Sequence, residues 1–356
     1  MNTHRYIRQT SLQDFGSIAQ QKLADASVLV VGVGGLGIPV LQYLNAMGVG
    51  TLGMVEQDCI DLTNLQRQVL YNENDIGKPK LEVALEKLKL QNSQTQLKAH
   101  AAFLNRDNAL QIISDYDLVV DASDNFPTRY LINDACVILK KPFVYGALHS
   151  FEGQVSVFNY NHGPTYRCLF PKMPSGMEIP NCNDNGVLGV IPGIVGNLQA
   201  LEAIKVITGI GEVLSGKLLL FSGLNHSFQK INFLLKPENL LLTVLEDSYE
   251  TDSCIPVRSI TVNELQELIK SDTAIQVVDV RSTTEYATYH LPNSINIPLE
   301  ELENRVMEIN LKQSVYLICQ SGRRSAMAQD KLSQISPNTN LYNIFGGINT
   351  LLTTCF

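Results

Sequence analysis

The first two-thirds of the chain alternates short aliphatic runs with stretches whose apolar positions recur every three or four residues. VLVV at 28–31 is followed by a helical pattern over 36–47, TLGMV at 51–55, a second helical pattern over 79–90, and DLVVDAS at 117–123. Uninterrupted apolar runs of this length predict strands buried on both faces, and their alternation with amphipathic helices predicts a mostly parallel, doubly wound α/β sheet. A helix is expected over 126–139. FVYGAL (143–148), QVSVFNY (154–160), KLLLFSG (217–223) and KINFLL (230–235) read as further strands, antiparallel and making the sheet mixed. Between them, Ile194, Leu198, Leu201, Ile204 and Val206 mark a long helix over 191–208.

The pattern breaks at LEDSYETDSCIPVRS (245–259), which is polar and acidic with a proline near its end. We expect a first domain over 1–245, a linker over 246–258 and a small α/β domain over 259–356. In the last, VNELQELI reads as a helix, AIQVVDV and SVYLIC as strands, and the segment after Gly322 as another helix.

Composition narrows the function classes. A chain of 356 residues with 45% hydrophobic content has room for about two cores. Its net charge of −8 argues against a general nucleic-acid or anionic-membrane surface, so any cation that holds a ligand must be locally focused. Seven cysteines without a repeated short spacing fit a reducing, cytoplasmic setting better than a disulfide framework. The N-terminus lacks the apolar stretch of a signal peptide. The uncharged run from Val28 to Val55 is long enough to span a bilayer, but its glycines, Pro39, Gln42 and Asn45 fit a strand, turn and helix better.

The chemistry begins at VGVGGLG. Gly32, Gly34 and Gly37 occupy the fixed positions of a G-x-G-x-x-G turn, which permits a tight bend, backbone approach to phosphate and close helix packing; Gly35 adds room. With Glu56 closing the next strand, where a carboxylate can hold ribose hydroxyls, the motif fits a Rossmann-like fold binding either NAD or ATP. Asn64, Arg67, Gln68 and Lys80 tilt the choice toward a triphosphate, because a dehydrogenase has no such charge to neutralise. Asp124, after the DLVVDAS strand, suits either one magnesium ion or an N-cap for the following helix, with Asp121 able to share the two roles.

The ordered set RYIRQ (5–9), VGVGGLG, NLQRQ (64–68), GKPK (77–80), SDN (123–125), EGQVSVF (152–158), YRCLFP (166–171) and NCNDNGVLG (181–189) resembles the MoeB/ThiF/HesA adenylyltransferases over about residues 4–235. The resemblance implies that Gly35, Glu56, Asn64, Arg67, Lys80, Asp124 and Asn125 contact ATP and magnesium. It implies a homodimer in which Arg8 reaches the partner's site, although Arg8 read alone is equally a solvated surface charge. It also implies a ubiquitin-like sulfur-carrier protein ending in Gly-Gly, whose carboxylate attacks the α-phosphate of ATP.

Cys182 lies in a polar loop, where a thiol is reachable; in some relatives the matching cysteine bonds to the carrier, and an idle loop cysteine is an equal reading. Many relatives also hold zinc on two C-x-x-C pairs. Here Thr165 precedes Cys168 and KPENLLLTVL (236–245) has no cysteine, so no structural zinc is expected, with apolar packing in its place.

In the C-terminal region, LICQSGRRSAM places Cys319 at a strand end ahead of a six-residue loop and a helix. Loop N–H groups, the helix start, Arg323 and Arg324 are expected to stabilise a thiolate or persulfide. This segment and DVRSTTEYATYHLPNSINIPL (279–299) resemble a rhodanese-like domain over about 259–350. With no tryptophan near the end, its last helix is expected to be short and weakly packed. The resulting expectation is adenylation of the carrier followed by sulfur transfer from a Cys319 persulfide, supplied by a cysteine desulfurase or thiosulfate. The rivals are a carrier-binding scaffold and an NAD-dependent oxidoreductase.

Overall fold

The computed structural model describes residues 3–174, 186–249, 258–270, 275–320 and 322–354. The chain divides into two compact units, the first ending at Tyr249. Its sheet has eight strands in the order β3-β2-β1-β4-β5-β6-β7-β8. These are β1 (Ser27–Val31), β2 (Thr51–Val55), β3 (Gln96–His100), β4 (Leu118–Asp121), β5 (Phe143–His149), β6 (Glu152–Phe158), β7 (Lys217–Ser222) and β8 (Ser227–Asn232). The helices are α1 (Ile7–Thr10), α2 (Gly16–Asp25), α3 (Gly37–Met47), α4 (Lys80–Gln91), α5 (Ala109–Ser114), α6 (Phe126–Leu139), α7 (Tyr166–Leu169) and α8 (Val190–Thr208).

Strands β1 to β5 are mutually parallel and β5 to β8 antiparallel. FVYGAL, expected among the antiparallel strands, therefore runs parallel to β4, because the 14-residue crossover helix α6 returns the chain to the same end of the sheet. The period-2 alternation of β1 divides the core. Val28 and Val30 pack with Leu41, Leu44 and Val195 on one face, while Leu29 and Val31 pack with Ile113 and Tyr130 on the other. Among the described residues, α8 is the one helix long and apolar enough to cross a membrane by composition. Its Ile191, Val195, Ala203 and Ile204 are buried in this core.

Residues 245–249 pack against the first unit. Leu245 and Tyr249 are buried, and Asp134, fully enclosed, accepts hydrogen bonds from Arg167 at 2.8 and 2.7 Å and from the Tyr249 hydroxyl at 2.8 Å. Arg167 also bonds Glu246 at 2.6 Å.

The second unit is a five-stranded parallel sheet in the order β11-β10-β12-β13-β9, formed by β9 (Ser259–Thr261), β10 (Gln276–Asp279), β11 (Ile295–Asn296), β12 (Val315–Ile318) and β13 (Leu341–Phe345). Helices α9 (Val262–Lys270), α10 (Thr283–Thr288), α11 (Arg323–Ile335) and α12 (Gly347–Thr354) accompany it. Leu317 packs on one face and Ile318 on the other. The expectation of a weakly packed last helix is corrected here. Although α12 has only eight residues, Ile348 and Leu351 are buried with Val262 and Leu265, aliphatic contacts that make an aromatic anchor unnecessary.

Candidate functional site

A cavity of about 740 Å³ opens at the carboxyl ends of β1, β2 and β4, where an open parallel sheet places its ligands. Gly32, Gly34, Gly35, Glu56, Asn64, Arg67, Gln68, Lys80, Asp124 and Asn125 all line it. Gly37 sits behind the wall, Arg8 is exposed on α1 away from the cavity, and Cys182 lies outside the described residues.

Each glycine has its own geometric reason. Gly32 has φ +99°, and a Cβ there would stand 2.7 Å from the Ala122 carbonyl oxygen; at Gly37 it would stand 1.9 Å from the Gly32 oxygen. These two make the turn. At Gly34 the nearest atom to an added Cβ is Gln68 Nε2 at 3.5 Å, so the backbone is open to a ligand. No side chain caps α3, which leaves the positive end of an 11-residue helix facing the cavity.

The polar groups surround this cradle. Lys80 begins α4 and is 6% exposed, with its Nζ 3.2 Å from the exposed Asp58. Arg67, half-buried, donates to the Thr63 carbonyl at 3.0 Å. Gln68 is buried with Oε1 unpartnered. Glu56 accepts the Val33, Gln57 and Asp58 N–H groups at 3.1, 2.9 and 3.0 Å, so it braces the loops as well as lining the cavity.

The turn after β4 separates roles that are indistinguishable in sequence. Asn125 is the N-cap of α6, its Oδ1 accepting the Thr128 N–H at 2.9 Å. Asp121, fully buried, accepts the Ser123 N–H and hydroxyl at 3.0 and 2.6 Å. Burial raises its pKa against the opposing pull of Arg129 and Ser123. Asp124 is thus exposed at the cavity and not needed as a cap. This geometry overturns the Asp124 cap, because Asn125 fills that role.

Sequence reading missed Phe103, which lines the cavity while 59% exposed, and Arg129, which donates to the Ser123 carbonyl at 3.2 Å. A lone aromatic in a polar loop was the only signal for Phe103, and Arg129 resembled an ordinary helix charge.

A polar cluster surrounds Cys168, correcting the expected apolar packing. Its sulfur receives the Thr165 and Lys236 N–H groups at 3.4 and 3.3 Å and the Asn239 amide at 3.4 Å, with the Thr165 hydroxyl also 3.4 Å away. Burial pushes the thiol up, but these hydrogen bonds outweigh it and hold the pKa below the usual thiol value. A single sulfur among neutral donors does not fit a tetrahedral zinc site.

In the second unit Cys319 follows β12 and is 1% exposed. Gly322 N–H and the Ser325 hydroxyl reach its sulfur at 3.2 and 3.3 Å. Arg324 gives its two terminal nitrogens to Glu285 at 2.7 and 2.6 Å and also interacts electrostatically with Cys319. The Arg324 bond holds the Glu285 pKa down at about 2. Ser321 and the side chain of Arg323 lie outside the described residues. Arg281 pairs with Asp279 at 2.7 Å and steadies Gln320 at 3.1 Å, while the first N–H groups of α12 hold the Cys319 and Gln320 carbonyls at 2.9 and 3.0 Å.

Fold and cavity define a doubly wound α/β protein with a glycine-turn cavity in the first unit and a buried-cysteine loop in the second. The chain belongs to the ThiF family, which matches residues 6–241, and residues 261–352 match the rhodanese-like domain. It is 42% identical to "Adenylyltransferase and sulfurtransferase MOCS3" of Aedes aegypti, over 97% of this chain and 85% of that protein. The protein of the same name from Culex quinquefasciatus is 41% identical, with 97% and 86% covered. Among solved structures, E. coli MccB with ATP aligns at a TM-score of 0.59 and 25% identity, covering 69% of this chain and 75% of that one. PaaA, at a TM-score of 0.56 and 22% identity, shares the fold, with 65% and 74% covered.

Proposed function

We propose that this chain adenylates the C-terminal glycine of a ubiquitin-like sulfur-carrier protein with ATP and then transfers sulfur to it from a persulfide on Cys319. The observation that carries the reading is the cavity that unites the open Gly34 backbone, Arg67, Lys80 and exposed Asp124. Its family and its named relatives support the same two activities.

In the first step a carboxylate oxygen of the carrier attacks the α-phosphorus, and the bond to the β-phosphate breaks to release pyrophosphate. Both reactants are anions, so the chain's task is alignment and charge neutralisation. Gly34 and Gly35 would admit the phosphates to the α3 N-terminus, with Arg67 and Lys80 carrying the compensating charge. Glu56, Asn64, Gln68 and Asn125 would border the nucleotide. The residues fit a magnesium ion held by Asp124 alone with phosphate oxygens, as that ion commonly binds, and it would add positive charge at the phosphates. In the second step the terminal sulfur of Cys319 persulfide attacks the acyl carbon and AMP leaves, beginning thiocarboxylate formation.

Arg8, which does not line the cavity of its own chain, would complete the site of a second copy in a homodimer. Cys182 would serve as a further nucleophile. The direct test incubates the protein with ATP, magnesium, thiosulfate and a carrier ending in Gly-Gly, then reads the carrier's intact mass. An AMP adduct or a carboxylate-to-thiocarboxylate shift is expected; no change with several carriers, despite ATP binding, would favour a non-catalytic scaffold.

A further inference from the structure

We infer that Tyr71 is a positioning residue for the adenylation step: its hydroxyl fixes the Val33–Gly34 peptide with the Gly34 N–H directed into the cavity, and ties that peptide to the helix start that carries Lys80. This rests on the reading that the cavity receives the phosphates of ATP.

Tyr71 is buried in the core of the first unit and is not among the residues that line the cavity. Its hydroxyl lies 3.0 Å from the Val33 carbonyl oxygen and 3.3 Å from the Lys80 carbonyl oxygen. Burial, with the charges of Glu56 and Asp75, raises the phenol pKa, so the group stays protonated and acts as a donor. The Tyr71 N–H bonds the Gln68 carbonyl at 3.1 Å, at the end of the short segment that carries Arg67. One residue therefore joins three parts of the site: the glycine turn, the Arg67 segment and the first residue of α4. Lys80 is held from its other sides by Asp58, whose carbonyl accepts the Lys80 N–H at 2.9 Å and whose carboxylate lies 3.2 Å from Nζ.

The planarity of the peptide turns this anchoring into an orientation. Across a trans bond the carbonyl of one residue and the N–H of the next point in opposite directions. With the Val33 oxygen held against the buried phenol, the Gly34 N–H points the other way, to the side on which Gly34 lines the cavity. Glu56 fixes the peptide before it, accepting the Val33 N–H at 3.1 Å, so both polar backbone atoms of Val33 are held. Gly34 itself resists rotation little, because it has no Cβ and the nearest atom to an added one is 3.5 Å away. Without the phenol hydroxyl the Val33–Gly34 peptide is free to flip, replacing an N–H that attracts a phosphate with a carbonyl oxygen that repels it. The ring can keep its apolar packing when the hydroxyl is removed, so the two roles of Tyr71 are separable.

Tyr71→Phe in the full chain provides the test. The Kd for magnesium–ATP, measured by calorimetry without a carrier, should rise roughly fivefold, the usual worth of one neutral hydrogen bond. In carrier-dependent ATP–pyrophosphate exchange the KM for ATP should rise by a similar factor, while kcat and the KM for the carrier change less than about twofold, as expected for contacts already made in the bound state. An unchanged Kd for ATP in a folded Tyr71→Phe protein would overturn the inference. So would a joint deterioration of kcat and both KM values, which would leave the hydroxyl a merely structural role. Hydrogen–deuterium exchange on the unmodified protein gives a check that needs no variant: saturating magnesium–ATP should slow exchange at the Gly34 amide, and unchanged exchange there would overturn the inference. No binding of magnesium–ATP by the unmodified protein would instead overturn the underlying reading of the cavity.

Discussion

The cavity of the first unit and the cysteine loop of the second hold their charged groups in different ways. The cavity gathers side chains from segments spread between Val31 and Pro192, and among the described residues Lys80 pairs with the exposed Asp58 carboxylate and Arg67 bonds a carbonyl oxygen. The loop is local, with its sulfur enclosed by neutral donors and Arg281 and Arg324 both joined to carboxylates. On the proposed reading, a cavity that is to receive a polyanion must keep positive charge available, whereas a loop that is to store one sulfur anion can draw on oriented dipoles. The difference shows why a count of arginines near a site is a poor guide to its charge.

The strongest way to separate the two regions is Cys319→Ala, which should abolish sulfur transfer from the second unit while leaving carrier-dependent ATP–pyrophosphate exchange intact. Loss of exchange as well would mean that the loop is not an independent chemical unit. The converse is Lys80→Ala. Carrier adenylation should fall by roughly 10²–10³, the usual cost of deleting a charge-stabilising group, with persulfide loading of Cys319 unaffected.

A smaller, structural effect is expected from Gly37→Ala. Its Cβ would meet the Gly32 carbonyl at 1.9 Å, so the turn must open. Overpacking of this kind costs about 1–3 kcal/mol, so unfolding of the first unit should move to lower temperature while that of the second stays. Smaller still is Asn125→Ala, which removes the α6 cap and should cost about 1 kcal/mol. Asp124→Asn should leave stability unchanged and lower adenylation; a matching loss of stability would make Asp124 a structural residue.

The mildest probe is pH. Because the folded Glu285 pKa is depressed to about 2 by Arg324, its contribution to stability is complete above the unfolded carboxylate pKa near 4.3. It is lost as pH falls from there through about 2. Acid unfolding followed on Glu285→Gln should therefore be less steep across that interval than in the unmodified protein.

The alternation of buried strands and helices determined the doubly wound class, because a segment buried on both faces must be apolar throughout. The G-x-G-x-x-G turn was legible for a related reason: Gly32 and Gly37 have no room for a side chain. The strand Gln96–His100 was not legible, since at the sheet edge it is partly exposed and its sequence QLKAH need not be apolar. The sequence supplied the candidates at 121, 124 and 125, but only the tertiary structure decided that Asn125 caps, Asp121 braces Ser123 and Asp124 faces the cavity. It also decided that Arg324 serves Glu285, 39 residues away. Periodicity and steric exclusion are local and therefore written along the chain; the partner of a charge is chosen among all groups the fold brings near it.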